Sequence, residues 1–336
     1  MENGKTIELL GYKEFLAMLK DLVKESIGTE YRVDINHVLK NNAIELDGLI
    51  ILKENERITP NIYLNSYYER YLEGEELPGL AEEIIGIYMD TMEDGEKEAL
   101  CLKYEFNEMK NCIIYRLVNY DKNRKLLQEV PHIRFLDLAI TFHCLVKNNN
   151  EGIGTIRITN EHMMNWRTDI EELKTFARVN TPEIFPAVMK SMNDVILEIL
   201  KKDMKSMSYY QHADIEDNLC NQMNVTSEEL LNSIKAGMEH QNCKEMYVLT
   251  NEKGINGASC LLYPDIIKEF AGELGTDFYI LPSSIHEIIL VMDNENINKY
   301  ILKDMVLDVN RTQVPEEDIL SNSVYFYSRE KDAISM

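Results

Sequence analysis

Ile62-Tyr63-Leu64-Asn65-Ser66-Tyr67-Tyr68-Glu69-Arg70-Tyr71-Leu72 changes its hydrophobic period partway along. Up to Leu64 the residues read as the end of a strand, whereas Tyr67, Tyr68, Tyr71 and Leu72 recur at helical spacing. A strand therefore runs directly into a helix, and the aromatic stripe on that helix is expected to turn into a core rather than line a groove. The strand opens near Ile58 and carries Pro60, which suits the edge of a sheet because proline has no N–H to give to a neighbour.

Working outward toward the N-terminus, Tyr31, Val33 and Ile35 alternate with polar residues, Asn41-Asn42 reads as a turn, and Ile44 to Leu52 as the return strand of a hairpin. Residues 6 to 27 form an amphipathic helix through Leu9, Tyr12, Phe15, Leu16, Leu19, Leu22 and Val23, ended by Gly28. Toward the C-terminus a helix is predicted from Pro78 to Met89, then a charged connector from Asp90 to Lys97, a helix through Met109, and a strand from Cys112 to Asn119.

The strand-into-helix device recurs at Ile156-Arg157-Ile158-Thr159-Asn160-Glu161 and at Cys260-Leu261-Leu262-Tyr263-Pro264-Asp265, each time after a strand and a glycine-bearing loop. These repeats point to related β-β-α units in an α+β chain. Two or three lobes are expected, each a small, mainly antiparallel sheet with helices on one face, divided as 1–92, 93–212 and 213–336. Within the second, strands are predicted at Ile133 to Val146 and Gly154 to Thr159, a helix capped by Asn160, and a long helix over 180–210. Met189-Lys190-Ser191-Met192 and Met204-Lys205-Ser206-Met207 would share one face of that helix and fill an interlobe seam. The third lobe is read as a helix at Ser227 to Gln241, strands at Met246 to Thr250, Ala258 to Tyr263, Phe278 to Leu281 and His286 to Met292, and a helix at Lys299 to Asn310.

The formal net charge of the chain is −23, and residues 66–109 hold thirteen acidic side chains against Arg70, Lys97 and Lys103. Such a surface repels phosphate backbones, so direct nucleic-acid binding is not expected. The acidity reads first as solubilising charge and second as mimicry of a nucleic acid toward a basic partner. The N-terminus lacks the basic start and apolar run of a signal peptide, and no stretch matches a membrane span. The six cysteines show no metal or redox spacing, and Cys144 and Cys260 sit in apolar runs as small hydrophobes. A cytoplasmic protein without cofactor or metal is expected, of unknown oligomeric state.

One segment combines a hydroxyl, an imidazole and a carboxylate: Leu281-Pro282-Ser283-Ser284-Ile285-His286-Glu287. A histidine can activate a serine while an acid orients the ring, which makes Ser283, Ser284, His286 and Glu287 the candidate catalytic residues. If His286 opens a strand, however, His286 and Glu287 point to opposite faces, and Pro-Ser-Ser serves equally as a tight turn. His286-Glu287 begins like a zinc-protease HExxH motif, but Leu290 stands where the second histidine belongs. His132 and His143 lack metal-ligand spacing, and no phosphate-cradling glycine motif or GxSxG elbow occurs. The loop Lys253-Gly254-Ile255-Asn256-Gly257 reads as a flexible hairpin connection.

Lys40-Asn41-Asn42, Asp47-Gly48-Leu49, Pro60-Asn61-Ile62-Tyr63-Leu64, Leu117-Val118-Asn119-Tyr120, Val130-Pro131-His132, Phe135-Leu136-Asp137-Leu138-Ala139, Asn180-Thr181-Pro182 and Ile280-Leu281-Pro282-Ser283-Ser284-Ile285-His286-Glu287 together resemble a family of anaerobic gut bacteria known as domain of unknown function 5688. The resemblance covers nearly the whole chain and implies no activity, cofactor or catalytic residue. A complete set of scaffold signals without a recognisable reaction site points to a non-enzymatic protein-binding or accessory role. The alternatives are a hydrolase using Ser283 or Ser284 with His286, and an acidic nucleic-acid mimic.

Overall fold

The computed structural model describes residues 9–53, 59–99, 105–149, 152–209, 246–294 and 297–336. The chain divides into two compact units, Met1–Met109 with Leu145–Ile156, and Lys110–Cys144 with Arg157–Met336. The fold is α+β with small antiparallel sheets. The expected lobes 93–212 and 213–336 both contribute to the second unit, and their expected boundary lies outside the described residues.

In the first unit, α1 (Tyr12–Ile27) precedes a sheet in the order β1 (Tyr31–Leu39), β2 (Glu45–Lys53) and β3 (Ile62–Tyr63), followed by α2 (Asn65–Leu72), α3 (Leu77–Ala99) and α4 (Phe106–Met109). β1 and β2 pair antiparallel from Tyr31 opposite Lys53 to Leu39 opposite Glu45. The turn between them puts Asn42 in the left-handed region (φ 59°), which asparagine tolerates better than most residues. β3 occupies the sheet edge that Pro60 requires.

Phe15, Leu19 and Val23 of α1 pack with Leu49 and Ile51 of β2 and Leu80, Ile84 and Tyr88 of α3. The tyrosine stripe belongs to this core: Tyr67 and Tyr71 are buried, and the Tyr68 ring lies 5.0 Å from Tyr12 and 5.1 Å from Phe15. Their hydroxyls are satisfied: Tyr71 Oη accepts the Leu10 N–H (3.1 Å), and Tyr68 and Tyr67 donate to the Leu10 carbonyl (3.1 Å) and Glu83 (3.2 Å). The charged run expected as a connector instead extends α3 to Ala99, because Glu, Lys and Met favour helix when no proline intervenes.

Two further sheets occur among the described residues. One has the order β4 (Ile113–Asn119), β6 (Leu138–Asn148), β5 (His132–Phe135), with β7 (Ile153–Arg157) also on β6; its β6–β7 arm within Leu145–Ile156 belongs to the first unit and the rest to the second. The other runs β13 (Ala333–Ser335), β12 (Tyr325–Ser328), β10 (Phe278–Leu281), β11 (Ile288–Met292), β9 (Met246–Asn251), β8 (Ala187–Ser191). The described helices of the second unit are α5 (Arg124–Leu127), α6 (Asn160–Trp166), α7 (Ile170–Ile184), α8 (Met192–Tyr209), α9 (Ile266–Leu274) and α10 (Lys299–Thr312). The larger sheet is covered on both faces, not one: Phe270 of α9 packs on Phe278, while Leu302 and Val306 of α10 pack on Leu281 and Val291.

Four local readings differ from the structure. The strand expected over Ile133–Val146 is a hairpin, folded at Leu136 (φ 56°) and Asp137, a turn without the glycine that usually announces one. The long helix over 180–210 is interrupted after Ile184 by Pro186 and by β8, which pairs with β9 from Ala187 opposite Asn251 to Ser191 opposite Tyr247. Met189 therefore lies in β8 while Met192, Met204 and Met207 lie in α8, and the side chains of Met204 and Met207 fall outside the described residues. Thr159, not Asn160, caps α6, its Oγ accepting the His162 N–H. Ala258–Tyr263 lies largely in a 3-10 helix (Gly257–Leu262), since a short apolar run carries no period to separate strand from helical turn. The helix expected at Ser227 to Gln241 lies outside the described residues. No described helix is long and apolar enough to cross a membrane.

Candidate functional site

The Ser-Ser-Ile-His-Glu segment joins β10 to β11, whose register sets Leu281 opposite Ile289. It is held as an extra strand-like layer against residues 318–321. Ile285 N–H donates to the Asp318 carbonyl (2.8 Å), Leu320 N–H to that of Ser283 (2.9 Å), and Ser321 N–H to that of Pro282 (2.8 Å). On the other side, Ala258 N–H donates to the Ile285 carbonyl (3.1 Å) and Thr250 Oγ1 to that of His286 (2.8 Å). Ser283 and Ser284 are buried as a result.

The ring of His286 is engaged at both nitrogens. Nδ1 accepts the Asn256 N–H (3.3 Å), and Nε2 faces Asp318 Oδ1 at 3.4 Å. A neutral ring in this setting carries its proton on Nε2, so neither nitrogen has a free lone pair with which to deprotonate a serine. Ser284 Oγ accepts the His286 N–H (3.0 Å) and bonds to Glu287. The four candidate residues thus gather in one loop, and Asp318, which no spacing could indicate, supplies the acid facing His286.

Glu287 is largely withdrawn from water, and burial raises its carboxyl above the usual carboxylate value; His286 and the Ser284 hydroxyl oppose the rise and Asp318 adds to it. The native state therefore holds this proton more tightly than the unfolded chain does. Its contribution to stability is present below the unfolded carboxylate pKa and is lost as pH rises through the raised value. Glu287→Gln keeps an oxygen for Ser284 and removes the charge. Its stability relative to the parent is expected to increase from about pH 4 to pH 7, as read from urea midpoints at each pH; a difference independent of pH would show that Glu287 does not carry this buried charge.

Asp137, at the β5–β6 turn, is a second polar centre. Its Oδ2 accepts the hydroxyls of Ser321 (2.6 Å) and Ser323 (2.9 Å), and its Oδ1 accepts that of Tyr325. Burial and then Asp137 push the Tyr325 phenol well above its ordinary value. Asn119 Nδ2 donates to the Leu320 carbonyl (2.9 Å), so β4, the β5–β6 turn and residues 320–325 are tied together beside the serine loop. Tyr67 belongs to the first unit's core, as given above.

The expected flexible loop at 253–257 is bonded in place by Asn251: its Nδ2 donates to the Ile255 carbonyl (2.9 Å) and its Oδ1 accepts the Lys253 N–H (3.0 Å). Cys144 and Cys260 are buried free thiols, each pushed up to about 12 chiefly by burial, which keeps them in the unreactive thiol form. Cys101, Cys220 and Cys243 lie outside the described residues. His132 and His143 stand on β5 and β6, and no group of His, Cys, Asp and Glu among the described residues is arranged to hold a metal ion.

At Ile319 and Asn322, a cleft of about 640 Å³ is lined also by Lys122, Asp304, Leu307, Asp308 and Arg311. It adjoins α10, whose inner residues Leu302 and Val306 are buried while Tyr300, Ile301, Met305 and Leu307 are exposed. No curated protein and no solved structure matches the chain. The model of a family of unknown function, DUF5688, matches residues 12–329, and the chain belongs to that family.

Proposed function

We propose that the chain is a non-catalytic accessory protein of the bacterial cytosol that binds another protein through the outer face of α10. The observation that carries this reading is the exposure of Tyr300 (78%), Ile301 (61%), Met305 (41%) and Leu307 (41%) on a helix already anchored by its opposite face. Large apolar side chains left in water favour association, and tyrosine is a frequent anchor of binding energy. The neighbouring cleft offers both charge signs, Asp304 and Asp308 against Lys122 and Arg311, for the polar rim that protein interfaces carry. The engagement of both His286 nitrogens and the burial of Ser283 and Ser284 support a structural role for the serine loop.

The test is affinity capture from native lysate with the full chain and with an Ile301→Asp, Met305→Asp variant. Both positions are exposed, so the fold is expected to survive and the stoichiometric partner to be lost. Recovery of no stoichiometric partner by the parent chain, or of the same partner by the variant, removes the proposal. With the partner in hand, Tyr300→Ala is expected to weaken binding by about 30-fold, the order of a 2 kcal/mol anchor.

The hydrolase reading retains one supporting feature, an acid facing the imidazole, but Nδ1 could accept a serine proton only after releasing the Asn256 N–H. For the acidic-mimic reading, Glu69, Glu73, Glu76 and Glu82 are exposed, whereas Arg70 pairs with Glu75 and Glu83 (2.7 Å each) and dilutes the negative field. Side chains of 93–99 lie outside the described residues.

A further inference from the structure

The main-chain N–H and C=O groups along the edge of a sheet need a partner or water, and the edges of this fold meet that need unequally. β3 is two residues long and follows Pro60. At β4, α7 takes up main-chain groups that β6 does not use: Asn180 Nδ2 donates to the Ile113 carbonyl (2.9 Å), and the Tyr115 N–H donates to Thr181 Oγ1 (3.1 Å). β1 is the other edge of the first unit's sheet, and it runs for nine residues without proline, glycine or bulge.

The register decides which groups β1 presents. Asp47 of β2 turns both of its main-chain groups toward β3, its carbonyl accepting the Leu64 N–H (2.8 Å) and its N–H donating to Asn65 Oδ1 (3.1 Å). His37 stands opposite Asp47, so its own main-chain groups point away from β2, and alternation gives Val33, Ile35 and Leu39 the same direction. Among the described residues none of these N–H and C=O groups has a partner. The His37 side chain is 84% exposed, and Ile35 and Leu39 keep partial access to water. Val33 is closed, at 3%. Lys20 leaves α1 on the inner face of the sheet and reaches Asp34 (3.2 Å), which alternation places on the outer face, so its stem crosses the edge at this point. An ion pair of this exposure contributes little and yields to a ladder of main-chain bonds.

We propose that β1 pairs with β1 of a second copy of the chain, antiparallel about a two-fold axis at Ile35, joining two three-stranded sheets into one. A contact of this symmetry must be complementary to itself, and the sequence of β1 meets the condition. On the inner face Ile35 meets the partner's Ile35 and Tyr31 meets the partner's Leu39; on the outer face Asp34 meets the partner's Asn36, whose carboxamide N–H matches a carboxylate. No like charges stand opposite one another, whereas an axis at Asp34 would set two carboxylates together. The strand is also locally neutral, Arg32 pairing with Asp34 in a chain of net charge −23, so two copies can approach there without the repulsion of the wider surface. This edge lies in the first unit, whereas α10 lies in the second.

The experiment is sedimentation equilibrium of the full chain over a wide range of concentration, and a monomer–dimer equilibrium is expected for the parent. Asn36 is exposed, so its substitution leaves the fold in place. Asn36→Lys sets an ammonium against a carboxylate twice over and is expected to lower the dimer Kd by about threefold to tenfold, whereas Asn36→Asp opposes carboxylates and is expected to raise it by a similar factor. His37→Pro removes an edge N–H that β2 does not use, so it is expected to raise the Kd by about tenfold or more while far-UV circular dichroism shows the β1–β2 hairpin retained. A parent that stays monomeric at every concentration overturns the proposal, as does a Kd that shifts in the same sense for both Asn36 variants or that none of the three substitutions moves. A dimer lost in Ile301→Asp, Met305→Asp but kept in His37→Pro assigns the contact to α10 and overturns it as well.

Discussion

Asp137→Ala is expected to lower the unfolding free energy by about 3–5 kcal/mol, because it strips one acceptor group from three hydroxyl donors at once. Ser321 and Tyr325 have no exposure to solvent, so water cannot replace the lost carboxylate for either. A hydrogen bond to a charged group contributes about 1.5–3 kcal/mol, and an orphaned buried hydroxyl costs about 1–3 kcal/mol. Because the three bonds share one carboxylate they are not additive, which places the total below their simple sum. Tyr325→Phe removes a single donor and is expected to cost about 1–2 kcal/mol. In the double variant the tyrosine term should largely disappear, since its acceptor is already gone. Urea titrations of the four proteins of this cycle measure the coupling. A loss under about 1 kcal/mol for Asp137→Ala would mean that residues 320–325 are held by backbone bonds alone.

The importance of Asp137 could not be read from its surroundings in sequence. Phe135-Leu136-Asp137-Leu138 looks like the middle of one strand because Leu136 takes a positive φ without being glycine or asparagine, so a single aspartate among apolar residues is all that marks the fold-back. The three hydroxyls that meet Asp137 lie 184 to 188 residues away, and no periodicity reports such a distance. Asp318 escaped for the same reason: it reaches His286 only because residues 318–321 pair with the serine loop. Elements whose burial follows from local spacing were legible. The β1–β2 hairpin, the edge placement of β3, the tyrosine core and α10 all depend on alternation or helical spacing within a few turns of chain. β8 was hidden because Ala187–Ser191 becomes a strand by pairing with β9, a tertiary preference that overrides its own propensity.

Gly257→Ala is expected to destabilise the second unit by about 3 kcal/mol or more, at the upper end of what overpacking costs. A methyl group at this position would stand 2.1 Å from Thr250 Oγ1, 2.4 Å from the His286 carbonyl oxygen and 2.9 Å from the Asn251 nitrogen. Two of these are backbone atoms, so rotating a side chain cannot relieve the contact. The end of β9 and the serine loop would have to separate, and the Thr250 Oγ1 bond to the His286 carbonyl would be stretched with them. Displacement of His286 would also loosen its contacts with Asn256 and Asp318. Gly48→Ala provides the comparison, because there the added methyl meets Oδ1 of Asn61 at 1.7 Å and Cγ at 2.5 Å, both in one side chain that can swing away. Its cost is expected to stay near 1 kcal/mol. Denaturant midpoints, with hydrogen exchange of the Ala258 and Ile285 amides as a local readout, separate the two outcomes. Protection at those amides should fall in Gly257→Ala and persist in Gly48→Ala, and equal loss in both variants would mean that the serine loop is not held by close packing against Gly257.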